Sequence, residues 1–182
     1  MCCVGGVLAG CGGGGPDLEG LKVARMGAGT EPQSLDPHLV TGHTEHRILT
    51  ALFEGLVWLD QETLEIQPGV AQSWEVSDDG LTYTFSLNPA AKWSNGDPVT
   101  AHDFVYAWKR HLSPNLASPY SYLLWVVENA EAFNKGEIED FAEVGVKAQD
   151  DQTLVVNLAY PAPYFVSAQI HYAFFPVHQE TI

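Results

Sequence analysis

Residues 91–108 read Ala-Lys-Trp-Ser-Asn-Gly-Asp-Pro-Val-Thr-Ala-His-Asp-Phe-Val-Tyr-Ala-Trp. Asn95-Gly96-Asp97-Pro98 is a run of turn formers: Gly supplies a left-handed backbone, Asn and Asp bond their own main chain, and Pro fixes φ. Thr100 stands three residues before Asp103, the spacing of a capping box, so a helix is expected to open there. Phe104, Val105, Trp108 and Leu112 then share one face of that helix. A rigid turn feeding a capped amphipathic helix is scaffold chemistry, and Trp74, Trp93 and Trp108 are read as core residues.

The flanking sequence supplies strands. Upstream, Trp74 and Val76 alternate and Ser77-Asp78-Asp79-Gly80 provides a turn. Leu81, Tyr83, Phe85 and Leu87 then point to one face, with Thr82, Thr84 and Ser86 on the other. Downstream, Asn115 to Ser121 is a loop, and Val144–Ala148 is expected to pair with Thr153–Leu158 across Asp150-Asp151. Nearer the N-terminus, Thr44 is expected to cap a helix carrying Ile48, Leu49, Leu52, Phe53 and Leu56 as an apolar stripe. Thr30 to Gly42 is a loop in which Pro32 and Pro37 deny a helix, and Lys22 to Gly29 reads as a first buried strand. Strands and helices in this irregular order argue for an α/β fold of mixed α+β character with inserted hairpins, rather than a repeated βαβ barrel.

Charge and composition narrow the function classes. The 182 residues carry 23 acidic against 8 basic side chains, a formal net charge of −15. A nucleic acid would be repelled by that field, and no Lys/Arg cluster reverses it locally, so no nucleic-acid partner is expected. No apolar run reaches the 18 residues that suggest a membrane-spanning helix. Cys2, Cys3 and Cys11 all lie in the first eleven residues, which excludes a disulfide framework or zinc cage from the body of the protein and suits an oxidising compartment.

The first twenty residues, MCCVGGVLAGCGGGGPDLEG, cannot pack as a domain element. Leu8-Ala9-Gly10-Cys11 resembles the lipobox of bacterial lipoproteins, which implies lipidation of Cys11 and a glycine tether from Gly12 to Gly15. The segment lacks a basic n-region and its apolar stretch is short. The alternative reading is an unprocessed tail.

Catalytic signatures are missing. There is no Gly-x-Ser-x-Gly elbow, Walker loop or His-Glu-x-x-His, and Gly27-Ala-Gly29 lacks the third glycine of a dinucleotide fingerprint because Pro32 occupies it. His43 and His46 lie three apart and could meet on one helical face as metal ligands, but no third ligand is placed by sequence. They are read as a solvent-facing pair, and no metal or cofactor is expected.

Six segments then coincide in order and spacing with one family. They are Glu31-Pro-Gln-Ser-Leu-Asp-Pro-His38, Leu52-Phe-Glu-Gly-Leu56, Pro68-Gly-Val-Ala71 with Ser73-Trp74, the stretch 91–108, Ala117-Ser-Pro-Tyr120, and Leu154 to Phe165. From about Lys22 to His178 the chain resembles the oligopeptide- and dipeptide-binding proteins of ABC importers, extracytoplasmic solute-binding family 5. The resemblance implies a periplasmic-binding-protein-like type II fold and a peptide-capturing role outside the cytoplasmic membrane, with ABC permease and ATPase subunits as partners and no enzymatic activity. It implies four stretches: 1–20 as signal and tether, 21–53 as the start of ligand-binding lobe I, 54–171 as an accessory domain, and 172–182 as the return to lobe I. Family members are well over twice this length, so a second lobe is expected beyond Ile182.

Carried over residue by residue, the loop after Asp36-Pro37-His38 resembles the segment whose backbone pairs with bound peptide, which nominates Val40, Thr41, Gly42 and His43. Thr41 stands where close relatives carry an acid. Tyr120 matches a cleft-lining tyrosine, and His171 sits near the return to the first lobe. Two alternatives remain at this stage: the same fold serving nickel, a sugar or a peptide pheromone, or a peptide-binding sensor or chaperone uncoupled from transport.

Overall fold

The two hairpins read from the sequence come together as one sheet. In the computed structural model, which describes residues 29–182, β3 (Ala71–Val76) pairs with β4 (Thr82–Leu87), and β5 (Val146–Asp150) pairs with β6 (Thr153–Asn157). β4 and β6 join them into an antiparallel sheet of order β3-β4-β6-β5. Register explains the core. Phe85 lies opposite Trp74 on one side and Leu154 on the other, and Tyr83 lies between Val76 and Val156. Tyr83, Phe85, Leu87, Leu154 and Val156 are accordingly buried, while the alternating Thr82, Thr84 and Ser86 are partly exposed. A smaller hairpin of β1 (Val57–Leu59) and β2 (Ile66–Pro68) precedes the sheet.

The decisive stretch behaves as its residues require. Gly96 takes φ +98°, the Asn95 side chain bonds Asp97 on both its N–H and its carboxylate, and Trp93 and Asp97 close the turn through their backbones. The Thr100 N–H and hydroxyl both donate to the Asp103 carboxylate, at 2.7 and 2.9 Å, at the start of α2 (Ala101–Leu112). α2 lies across β5 and β6 and buries Phe104, Ala107, Trp108 and Leu112. Trp108 is wholly buried and its indole N–H donates to the Phe174 carbonyl at 3.1 Å. Trp74 and Trp93 are partly buried against the same core. Short helices α3 (Ala130–Asn134) and α4 (Phe165–Ala168) and three 3₁₀ turns, among them Ser121–Leu124 and Tyr172–Phe174, complete the described chain.

Two expectations near the N-terminus are corrected. α1 spans His43–Leu52 with Gly42, not Thr44, at its N-cap. Glycine serves there because a Cβ would stand 1.9 Å from the Glu45 carboxylate oxygen, so the carboxylate occupies the space a capping side chain would need. The apolar stripe also stops early: the helix ends at Leu52, which is 64% exposed, and Leu56 is buried beyond it, just ahead of β1. Gly55 marks the break. A Cβ on it would meet Phe175 ring atoms at 2.7 Å and the Gln169 carbonyl at 3.0 Å, and its own carbonyl accepts from Val70 N–H.

Every ladder among the described residues is antiparallel, which gives this part its α+β character. Buried residues form a large cluster from Leu56 to Val177 and a small one of Val40, Leu49, Tyr172 and Phe175. No described helix is long and apolar enough to cross a membrane. The Cys11 motif, the glycine tether and the strand expected from Lys22 lie outside the described residues, apart from Gly29.

Candidate functional site

The loop that carries four of the nominated residues is held from beneath by charge. Asp36 starts a turn, its carboxylate accepting from the His38 N–H at 3.0 Å, and Arg110 on α2 reaches it with both guanidinium nitrogens. The paired side chains are 16% and 18% exposed. Burial alone would raise the Asp36 pKa, but the Arg110 and His38 hydrogen bonds outweigh it and hold the carboxyl below its usual range. Arg110 also donates to His38 Nδ1 at 2.8 Å, so that ring carries its proton on Nε2. Behind it, His111 packs edge-on to His38 with centroids 4.9 Å apart, and the Ser118 hydroxyl donates to the His38 carbonyl at 2.6 Å. Burial, reinforced by neighbouring positive charge, pushes His38 down to about 3; burial likewise brings His111 to about 4. Both imidazoles are neutral at physiological pH and serve as packing.

Above this base sits an aromatic wall. Tyr172 is buried and its hydroxyl donates to the Val40 carbonyl at 2.9 Å. His171 stacks on Tyr172 with centroids 4.3 Å apart, and Tyr120 packs edge-on to His171 at 5.0 Å. His46, from the second turn of α1, completes the group at 5.6 Å from Tyr172 and 6.3 Å from His171. Glu45 is buried below it and accepts from the Gln33 N–H at 2.8 Å, which lowers its pKa.

The six nominated residues thus divide. Val40, Tyr120 and His171 are brought together around Tyr172, and all but Val40 are partly exposed. Thr41 and His43 are exposed at the rim, with Gly42 between them as the helix N-cap. Val40 is 4% exposed and its carbonyl already takes one hydrogen bond, so its peptide group has limited capacity to bond anything else. The histidine pair of the sequence reading separates: His43 is exposed, whereas His46 turns inward onto His171 and Tyr172. Sequence reasoning missed His46, Tyr172 and the Asp36–Arg110 pair as parts of this wall. Among the described residues, no group of three metal-ligating side chains forms. None of the six lines the separate cleft of about 640 Å³ between Leu52, Phe53, Trp93, Val177 and Ile182.

Comparison with known proteins places the chain. Residues 65–181 match the middle segment of the bacterial extracellular solute-binding proteins, family 5. The periplasmic oligopeptide-binding protein OppA of Haemophilus influenzae is 48% identical over 170 residues, covering 92% of this chain and 31% of that protein. Its crystal structure in complex with RPPGFSPFR superposes with a TM-score of 0.80, at 48% identity, over 84% of this chain and 30% of that one. The Escherichia coli murein tripeptide binding protein MppA gives 0.79 at 42% identity, over 84% of this chain and 30% of that one. The chain therefore spans about a third of the length of the relatives it matches. A family match over residues 65–181, and structural agreement over most of the chain at this identity, lead to one conclusion: the protein belongs to the bacterial extracellular solute-binding proteins, family 5.

Proposed function

We propose that this chain is part of the substrate-binding component of an ABC importer, which captures peptides outside the cytoplasmic membrane and delivers them to its permease. Membership of an extracellular solute-binding family carries the reading, and the name of the Haemophilus influenzae relative, an oligopeptide-binding protein, supplies the class of cargo. Thr41, Gly42 and His43 offer main-chain groups at the exposed rim, where sequence-independent hydrogen bonds suit an extended peptide. Tyr120 and His171 give that strand an aromatic wall, and the Val40 carbonyl is fixed by Tyr172 so that the loop keeps one shape. The site holds its cargo and performs no chemistry on it; ATP hydrolysis belongs to partner subunits. Residues 21–53 and 172–182 contribute to one ligand-binding lobe, and 54–171 form an accessory domain beside it. Residues 1–20 serve as signal and tether, with Cys11 lipidated to hold the protein at the membrane surface.

Native mass spectrometry of the protein with a mixed peptide library tests the reading. Adducts that resolve into short peptides on denaturation support it, and a clean unliganded mass across the library overturns it. Intact-mass analysis of membrane-extracted protein tests the anchor: a diacylglyceryl mass on Cys11 is expected, and a polypeptide still beginning at Met1 refutes it.

A further inference from the structure

His46 and His171 come from chain segments 125 residues apart, yet their partly exposed rings lie 6.3 Å apart between centroids, tilted at 37°. His171 Nδ1 accepts from the Ala173 N–H at 3.2 Å, which leaves its proton on Nε2. Among the described residues, neither that Nε2–H nor either ring nitrogen of His46 has a hydrogen-bond partner, and neither is closed off from solvent. Two imidazole donors at this separation can both reach one carboxylate with charge-assisted bonds of about 2.8 Å. We infer that His46 and His171 form a recognition pair for a ligand carboxylate, supplied by an acidic side chain or the C-terminus of a bound peptide. This inference rests on the peptide-binding reading and specifies the chemistry it selects.

The two unpartnered imidazoles are what would receive an anion at this point. Burial, and then the nearness of His46, lower the His171 pKa. A carboxylate bonded to His171 offsets that penalty and favours its protonated form. Of the groups around the pair, the Glu45 carboxylate, whose charge reaches Tyr172, is the one that opposes an anion. On α1, Glu45 is engaged by the Gln33 N–H, while His43 and Arg47 are exposed to either side. On the facing segments the Tyr172 hydroxyl bonds Val40, Tyr120 and Tyr122 present rings, and His111 and Arg110 lie deeper, with Arg110 held by Asp36 and His38. The net charge of −15 opposes an anion at long range, but salt screens exposed charges beyond about 8 Å, so the local pair governs.

The test compares Ala-Glu-Ala, Ala-Gln-Ala and Ala-Gln-Ala amide by calorimetry at pH 5.5 and 8, with histidine titration followed by NMR on the same protein. Ala-Glu-Ala is expected to bind about five-fold tighter at pH 5.5 than at pH 8, as a one-unit rise in a His171 pKa that starts below 6.5 gives. That gain disappears in His46→Gln and His171→Gln, whose folding is checked by circular dichroism. In the unsubstituted protein the peptide moves the His171 titration to higher pH. If Ala-Gln-Ala shows the same gain and its amide does not, the C-terminus is the carboxylate recognised. Equal affinities and pH profiles for all three peptides overturn the inference and leave peptide binding intact. Failure of all three to bind overturns both.

Discussion

Replacing Arg110 with alanine removes the one side chain that ties the Thr30–Gly42 loop to α2 through a bidentate ion pair. Two unit charges about 4 Å apart attract by about 4 kcal/mol at an effective dielectric of 20. Desolvation of both partners and the ordering of two side chains offset part of this, the more so because some solvent still reaches the pair. The loss is larger than for an exposed surface pair because Asp36 is left a mostly buried carboxylate with His38 N–H as its remaining donor, and His38 Nδ1 loses its donor as well. Together these set the expected destabilisation at about 2 kcal/mol. In urea unfolding followed by the fluorescence of the five tryptophans, a slope of about 2 kcal/mol/M turns that into a midpoint lowered by about 1 M. Arg110→Lys keeps the charge but not the fork, and is expected to recover less than half of the loss. A midpoint for Arg110→Ala within about 0.2 M of the unsubstituted protein would show that loop and helix are held by packing alone.

Trp108→Ala empties a fully buried site and removes the bond to Phe174, so a loss of about 3–5 kcal/mol is expected by the same assay. Tyr172→Phe leaves the Val40 carbonyl buried without its donor and is expected to cost about 1 kcal/mol, read by thermal unfolding, together with weaker peptide binding. Gly42→Ala drives the Glu45 carboxylate off the Gln33 N–H, which should appear as a displaced Gln33 amide resonance. His38 and His111 have folded pKa values of about 3 and about 4 against 6.5 in the unfolded chain. Between about pH 6 and pH 4 the unfolded state therefore binds more protons, and stability falls as pH is lowered, by up to about 1.4 kcal/mol per pH unit for each imidazole. Denaturant titrations of His111→Gln across that range should show a shallower decline.

Local patterns were legible where the physics is local. The alternation from Leu81 to Leu87 gave the buried face of β4, and the Thr100–Asp103 spacing gave the start of α2, because each depends on neighbours within a few residues. Thr44 misled for the same reason: it is a good capping residue, but the Glu45 carboxylate and the Gln33 N–H fill the space around Gly42 instead. Leu52 fits the apolar stripe by period, yet Gly55 must pass close to Phe175, so the helix stops before the stripe is complete. The aromatic wall depends on contacts that no local pattern records. Arg110 meets Asp36 across 74 positions, and nothing adjacent to either residue announces the pairing. His46 was visible as a partner for His43 at helical spacing, and the structure turns it toward His171 instead.

The Tyr172 hydroxyl reaches back over 132 positions to the Val40 carbonyl, and this fixes when the wall can form during folding. The hairpins and α2 close short loops and can assemble early in folding. The loop at Val40 must wait, with Val40 and Leu49 uncovered, until the segment from His171 to Phe175 has folded back onto it. A folding intermediate without the His171–Phe175 segment in place would carry most of its sheet but no aromatic wall. Such a chain exposes the apolar side of α1 during that interval, and that is the point at which a chaperone would have something to hold.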